Sequence, residues 1–400
     1  MLKRLTYPLI LLAAFGCRTV DSSKLQGDES SRSGEYIGVL MASHGDIDDY
    51  KTELEFYVKT AFRKNVGIPF PFWFRPAIED VAYKLSVNNV TEQYKKIGPT
   101  HYRANAKLQM DAITAAFQSR GVRAKAYYGA NFTHPLIEET LEEMQKDGVT
   151  KLIVFNKGAQ FSWASAGENI GDVREYMKQH PEWDVEAIGF HQYSRDPRFH
   201  KVWKDAILHD AKDLFPGVPT RDVCLFIGSH GLPVIMTDRG DPAVSLMKES
   251  VAWLKENTPE YPIYHGFLND DFIPGAKWAS PRSSVMAQQL RDEGCKNVLM
   301  DGRLSFTNHH RATLYDLNIE ARGILEDPNG TVKGKKDPNW KKPKVVLAPQ
   351  FDGNPAFGEL IADLTLEAFE GQGDFEAIKH KGSPMLPRPS YPVKSVYIEY

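Results

Sequence analysis

"YIGVLMASHGDID", residues 36–48, and "DVCLFIGSHGLPV", residues 222–234, each run an apolar, strand-like string straight into Ser-His-Gly. A second pair keeps the same order. "KLIVFNKGAQFSWAS" (151–165) lies without gaps over "KNVLMDGRLSFTNHH" (296–310), with Lys on Lys and Phe-Ser on Phe-Thr. The helical stretches before this pair end alike, in "QKDG" and "RDEG". A chain that repeats both its strands and its turns predicts two similar halves, residues 36–190 and 220–350.

Working outward, short β-branched and apolar runs ("AKAYYGA", "VEAIGFH", "IYHGFL", "KVVLAPQ") alternate with longer helical patterns such as "HPLIEETLEEMQKDG" and "SSVMAQQLRDEG". That alternation predicts an α/β fold of two Rossmann-like lobes, each a parallel sheet flanked by helices, with a cleft between them. Residues 191–219, around "SRDPRFHKVWKDAILHDAKDLFP", read as the connecting helix, 351–376 as a C-terminal helix and 377–400 as a Pro-rich tail. "KGKKDPNWKKPK" (333–344) reads as a solvated loop.

The chain has 400 residues, and its 49 Lys+Arg against 52 Asp+Glu give a formal net charge of −3. No overall basic field exists to recruit nucleic acid. At the N-terminus, Lys3 and Arg4 precede an apolar run from Leu9 to Phe15 that closes on Gly16-Cys17. This is the layout of a signal peptide over residues 1–17. "LAAFGC" resembles a bacterial lipobox, which implies lipidation of Cys17 and an exported, membrane-anchored lipoprotein on the periplasmic side. The polar, Ser-rich residues 18–34 suit a tether. Only Cys224 and Cys295 remain, too few for a disulfide framework and without the spacing of a zinc or iron–sulfur site. Cys224, inside "DVCLFIG", is expected to be a buried strand thiol. No later stretch reaches the roughly 18 apolar residues needed to span a bilayer.

Ligands of open parallel sheets bind beyond the carboxyl ends of the strands, where both Ser-His-Gly turns fall. Of 12 histidines, that places His44 and His230 at a shared cleft, with His309 and His310 arriving from another strand end. His101, His134, His191, His200, His209 and His265 lack such placement. Asp48-Asp49 and Asp270-Asp271 are not followed by the alternating oxygen ligands of a calcium loop. Neither a Gly-x-Gly-x-x-Gly turn nor a P-loop lysine occurs, so nucleotide binding has no support. Read as an α-helix, the segment after His309 brings His309, Ala312, Asp316 and Glu320 within about 80° of arc. An imidazole beside two carboxylates suits a divalent metal or proton removal, and inserting a metal into a tetrapyrrole needs both.

The blocks "EQYKKIGP", "YYGANFTHPLIEETLEEMQKDGV", "AQFSWASAGE", "GSHGLPVIMTDRGDP", "FTNHHRATLYDLNIE" and "GNPAFGELIADL" resemble, in order, those of ferrochelatases. These lyases insert ferrous iron into protoporphyrin IX in haem biosynthesis, and the similarity runs from about Ile37 to Asp363. It implies a chelatase fold, a porphyrin partner and Fe²⁺ as the substrate metal. By the same resemblance His230 binds metal or takes a pyrrole proton. His310 matches a second active-site histidine, Asp316 and Glu320 match acids lining a path for metal or protons, and Phe132, Gln160 and Ser162 meet the macrocycle; His44, brought to the cleft by the repeated turn, is expected to meet it too. His230 and His309 are the expected metal-binding pair. No cysteine cluster near the C-terminus suggests an iron–sulfur cluster.

Departures from the family pattern bear on turnover. Ala312 stands where the glutamate partner of the catalytic histidine belongs, and His309 replaces an aspartate. Asn131 stands at the place of an arginine in one branch. "GFLNDDF" lacks the family's Gln-Ser, and "GPTHY" replaces its Gly-Gly-x-Ser-Pro loop. His44 is similar instead to the histidine turn of the smaller cobalt and sirohydrochlorin chelatases. The leading expectation is a ferrochelatase weakened by Ala312 and helped by His309. One alternative is a haem- or porphyrin-binding lipoprotein using His44 and His230 as axial ligands, and another is a metal-binding lipoprotein. "GIPFPFWFRPAIEDVAYKL", with Phe70, Phe72, Trp73 and Phe74 among Pro69, Pro71 and Pro76, falls at the family's lip over the pocket.

Overall fold

The first strand, β1 (Ile37–Ser43), buries both of its faces. Ile37, Val39 and Met41 enter one apolar cluster, while Leu40 and Ala42 enter another on the opposite side. Period-two burial on both sides is the mark of a parallel strand with helices above and below it. The structure, a computed structural model, describes residues 34–65, 72–268, 277–327 and 340–388, with 329, 331–332, 334–336 and 338 between the last two. The signal peptide, Cys17, most of the tether, Pro69 to Pro71, Asp270-Asp271, parts of the Lys-rich loop and the end of the tail lie outside the described residues.

Three helices follow β1: α1 (Tyr50–Lys64), α2 (Arg75–Ile97) and α3 (Tyr102–Ser119). Asp49 starts α1 by accepting a hydrogen bond from the Lys51 amide, and Asp48 accepts one from the Tyr102 amide at the start of α3. Both acids are therefore caps, as their lack of calcium-loop context suggests. Then come β2 (Ala124–Ala130), α4 (Ile137–Lys146), β3 (Lys151–Asn156), a π-helical turn over Trp163–Gly167, α5 (Glu168–Gln179) and β4 (Glu186–Phe190). Helix α6 (Pro197–Leu214), capped by Asp196 with Pro197 in its first turn, leads to the second half.

That half contains β5 (Val223–His230), α7 (Val234–Asp238), α8 (Ala243–Asn257), β6 (Ile263–Leu268), α9 (Ser283–Asp292) and β7 (Asn297–Asp301). A π-helical segment, Ala312–Ala321, runs into α10 (Arg322–Leu325). After the small hairpin of β8 (Thr331–Val332) and β9 (Lys335–Lys336) come β10 (Lys344–Leu347), α11 (Pro355–Phe369) and β11 (Phe375–Lys379).

The first sheet has the order β11-β4-β3-β1-β2 and the second β10-β7-β5-β6. All their pairings are parallel except β11 with β4. Strand for strand, β1 and β5 correspond, as do β3 and β7. In each sheet the chain leaves the Ser-His-Gly strand to one neighbour and returns on its other side, so β1 and β5 stand at topological switch points. The sheets share a core: inward residues of β1 and β3 and of β5 meet Phe199, Trp203 and Ile207 of α6 and Phe357, Leu360 and Ile361 of α11.

Two sequence expectations are corrected. The C-terminal helix ends at Phe369, because "GQG" breaks it, and β11 returns to pair antiparallel with β4 over residues assigned to helix and tail. Cys224 is not a free thiol but is bonded to Cys295. The pairing joins β5 to the turn before β7, adjacent strands in the sheet although the cysteines are 71 residues apart in sequence. Closing a loop of that length restricts the unfolded chain. Replacing both cysteines by serine should lower the unfolding free energy by about 4 kcal/mol in urea titrations.

Candidate active site between the two sheets

Backbone packing fixes both histidine turns. Gly45 has φ of +85°, and a Cβ there would meet the Thr133 hydroxyl at 2.1 Å. A Cβ on Gly231 would meet the Leu268 carbonyl oxygen at 2.3 Å. Each glycine lets a neighbouring strand end close on the turn, so the histidine before it stands at the sheet edge.

His44, His230 and His310 line one cavity, with about 210 Å³ open to the centres of water molecules. Phe132, Gln160, Ser162, Lys157, Asp46, Arg311 and Ala312 line it too. Phe132 stacks on His44 with ring centroids 4.9 Å apart. Phe306 lies edge-on to His310 at 4.0 Å and tilted to His230 at 5.8 Å. Nδ1 of His310 accepts the Ala312 amide hydrogen at 2.9 Å, which leaves Nε2 to carry the proton of the neutral ring. His44 Nε2 is bonded to the Ala164 carbonyl oxygen and lies 3.8 Å from a Glu168 carboxylate oxygen.

Electrostatics follow from burial. Desolvation, then the neighbouring His44 and Arg311, brings the His230 imidazole down to about 4. Burial likewise lowers His44 and, together with the other imidazoles and Arg311, carries His310 far below the usual histidine range. At neutral pH these rings are uncharged, the form that accepts a proton or binds a metal.

Other predicted positions are less central. Ser162 is committed to structure: its hydroxyl donates to Asp241 at 2.8 Å and caps the turn at Ala164. Gln160 Nε2 and the Ser305 hydroxyl, both in the cavity wall, are buried without a hydrogen-bond partner among the described residues. His309 precedes the helical segment rather than lying on it. Its Nδ1 meets the Thr313 hydroxyl at 3.3 Å, its neighbours are Arg303, Asp301 and the Ala348 backbone, and it does not line the cavity. His309 therefore does not share the cavity wall with His230, and no group of three metal-binding side chains occurs among the described residues. The segment beyond it is π-helical, so the α-helical arc does not apply. Asp316 is nonetheless buried, 3.8 Å from Arg311 in the cavity wall, while Glu320 is exposed. Asn131 donates to Asp172 at 3.0 Å, behind the cavity.

Four groups went unnoticed in the sequence. Asp46, pushed up to about 6 by burial, accepts from Tyr94, the Ile47 amide and, across the lobes, the Arg311 amide. Arg311 also reaches Gln93 at 2.6 Å. Lys157, brought down to about 7 by burial, donates to Asn308, which donates in turn to Asp352. Glu168 lies behind His44. For Asp46 and Lys157 the signal was position, just past β1 and β3 at the switch point.

A slot entered by neutral imidazoles from both sheets suits a metallochelatase, a lyase in which a divalent ion enters a tetrapyrrole as two protons leave. Comparison with known proteins agrees. The Ferrochelatase family model matches residues 36–368, and the chain belongs to the ferrochelatase family. It is 25% identical over 353 residues to the mitochondrial ferrochelatase of Gallus gallus, covering 86% of this chain and 82% of that one. Against the mitochondrial ferrochelatase of Homo sapiens it is 27% identical over 334 residues, covering 82% and 74%. Among solved structures it is similar to SirB from Bacillus subtilis with Fe³⁺, with a TM-score of 0.48 and 16% identity over 85% of this chain and 100% of that one.

The buried imidazoles make stability depend on pH. His230 takes up a proton near 6.5 when unfolded but only near 4 when folded, so between those values the unfolded chain binds more protons. Stability is lost as pH falls through that window, by about 3 kcal/mol for this group. Urea unfolding from pH 7 to 4 should show the decline, and His230→Gln should make it shallower. His265 and His309, also lowered to about 4, preserve part of the slope.

Proposed function

We propose that this chelatase inserts Fe²⁺ into protoporphyrin IX as a step of haem formation. The observation that carries the reading is that imidazoles from the ends of β1 and β5 reach one cavity. A flat macrocycle held there has His44 on one side and His230 on the other. His230, uncharged and backed by Phe306, receives a pyrrole proton or hands over the metal. His310, oriented by the Ala312 amide, stands beside it. Glu320 at the surface, buried Asp316 and cavity-lining Arg311 mark a route between solvent and the ring. Gln160 and Ser305 offer unpartnered polar atoms to the ligand's polar edge. Engagement of His44 Nε2 with Ala164 and its approach to Glu168 favour a proton-carrying ring over an axial haem ligand.

The N-terminal signal pattern favours export with lipid attachment at Cys17, on the periplasmic side of a membrane. The Cys224–Cys295 bond supports that reading, since disulfides persist in oxidising compartments. No helix of the described residues is long and apolar enough to cross a membrane. In cell fractionation, Cys17→Ala should move the protein from the membrane to the soluble fraction.

Anaerobic incubation with Fe²⁺ and protoporphyrin IX should quench porphyrin fluorescence. His230→Ala should slow this by about 10² to 10⁴, the usual effect of losing a proton-transfer group. Ala312→Glu should change the rate less than about tenfold if another group already does the missing glutamate's work. Absent turnover, together with a low-spin spectrum on adding haem that His44→Ala abolishes, replaces this reading with haem holding.

A further inference from the structure

The family's carboxylate is missing at Ala312, yet a carboxyl group lies across the cleft. Glu168 opens α5, directly after the π-helical turn that follows β3. Its side chain is 7% exposed, and neither oxygen has a hydrogen-bond partner among the described residues. An unsatisfied buried carboxyl is costly and is retained where it has a use. It does not line the cavity. His44 does, with Nε2 only 3.8 Å from Glu168 Oε2, so the ring lies between the ligand space and the acid.

The repeat adds an independent observation. The ungapped register that pairs Lys151 with Lys296 pairs Glu168 with Thr313, the residue after Ala312. Glu168 directly follows the π-helical turn after β3, and Thr313 is the second residue of the π-helical segment after β7. The first lobe thus has its acid almost where the second has lost one.

We propose that proton removal has moved across the cleft: His44 takes a pyrrole proton, and Glu168 behind it supplies the carboxylate that the second lobe lacks. This rests on the metal-insertion reading above. In the step, one pyrrole N–H bond breaks and its electron pair stays on nitrogen. The proton goes to His44 Nδ1, and the proton already on Nε2 passes to the Glu168 carboxylate. The second pyrrole proton goes to His230, the freed lone pairs bind the metal, and nothing is oxidised or reduced. His44 meets the substrate as a catalytic residue, whereas Glu168 acts through it as a positioning and proton-storing residue.

The surroundings set the pH behaviour. Burial, and after it Asp172, raise the proton affinity of Glu168, while Lys64 and Arg75 oppose them. Lys64 is itself shared with Asp172 at 3.0 Å and Glu138 at 3.3 Å. His44 is a further titratable neighbour, and the Arg388 guanidinium donates to the adjacent Gly167 carbonyl at 3.0 Å. Glu168 accepts a proton only when ionised, so turnover should fall on the acid side, at a pH above the ordinary carboxylate range of about 4.3.

The test compares Glu168→Gln with the wild-type chain, using Fe²⁺ and protoporphyrin IX across pH 5 to 9. The expected result is a roughly 10²-fold lower kcat with KM for porphyrin little changed, and loss of the acid-side limb. Ala312→Glu, added to Glu168→Gln, should restore turnover at least tenfold by returning a base to the second lobe. An active wild type whose rate and pH profile are untouched by Glu168→Gln overturns this inference and leaves the proposed function standing. So does a Glu168→Gln protein that loses porphyrin binding and kcat together and gains nothing from Ala312→Glu. A wild type inert toward Fe²⁺ overturns the proposed function itself.

Discussion

The shared apolar layer between the two sheets is the constraint on which the site depends. Ile37, Val39 and Met41 of β1 and Val223, Leu225 and Ile227 of β5 face one core, filled from between by α6 and α11. Alternate residues of the same strands, Leu40 and Ala42 or Cys224 and Phe226, are buried on the outer faces. A strand apolar on both sides could slip by two residues without exposing charge, but the glycines after both histidines prevent it. Gly45 and Gly231 each sit where a Cβ would collide with the adjacent strand end, so each turn has one seat. Core and turns together hold two imidazoles, one from each sheet, in the wall of one cavity.

That burial also determines the chemistry. Desolvation pushes several groups of the cavity wall toward their neutral forms: the His230 and His310 imidazoles down, Lys157 down to about 7, and Asp46 up to about 6. Few fixed charges then compete for an incoming cation. Neutral imidazoles bind a divalent ion without the full attraction of carboxylates, which helps an ion that must be released into a macrocycle rather than retained. The same logic needs a destination for protons, since each one deposited on a buried imidazole is unfavourable unless it moves on.

Much of this was legible in the chain and some was not, for identifiable reasons. The duplicated Ser-His-Gly marked both switch-point strands because the backbone approach requiring glycine is local. Phe132 and Gln160 line the cavity. The cysteine bond was hidden because the closeness of β5 and β7 comes from sheet order, which spacing along the chain does not encode. His309 was misplaced because the helix arithmetic assumed α geometry from the histidines onward, whereas the helical segment starts later and is wound more widely. Glu168 was passed over because nothing in "SAGEN" distinguishes a buried acid from a solvated one at a helix start. Its neighbours Lys64, Arg75 and His44 are remote in sequence.

Duplication gives a reason why such an exchange between lobes is tolerable. The inner nitrogens of a macrocycle are reachable from both of its faces, so a base on either side of the slot meets the same atoms. A single-lobed site would lose proton removal with its one carboxylate. Here the strand that positions the second lobe's histidines has a counterpart in β3, and each is followed by a π-helical stretch, Trp163–Gly167 in the first lobe and Ala312–Ala321 in the second. Loss of an acid at Ala312 and presence of one at Glu168 then leave the slot with a histidine on each face and a carboxylate behind one of them. In the proposed exchange the protons leave on the side of the first lobe, where Lys64 and Asp172 neighbour Glu168, rather than along the π-helical segment of the second.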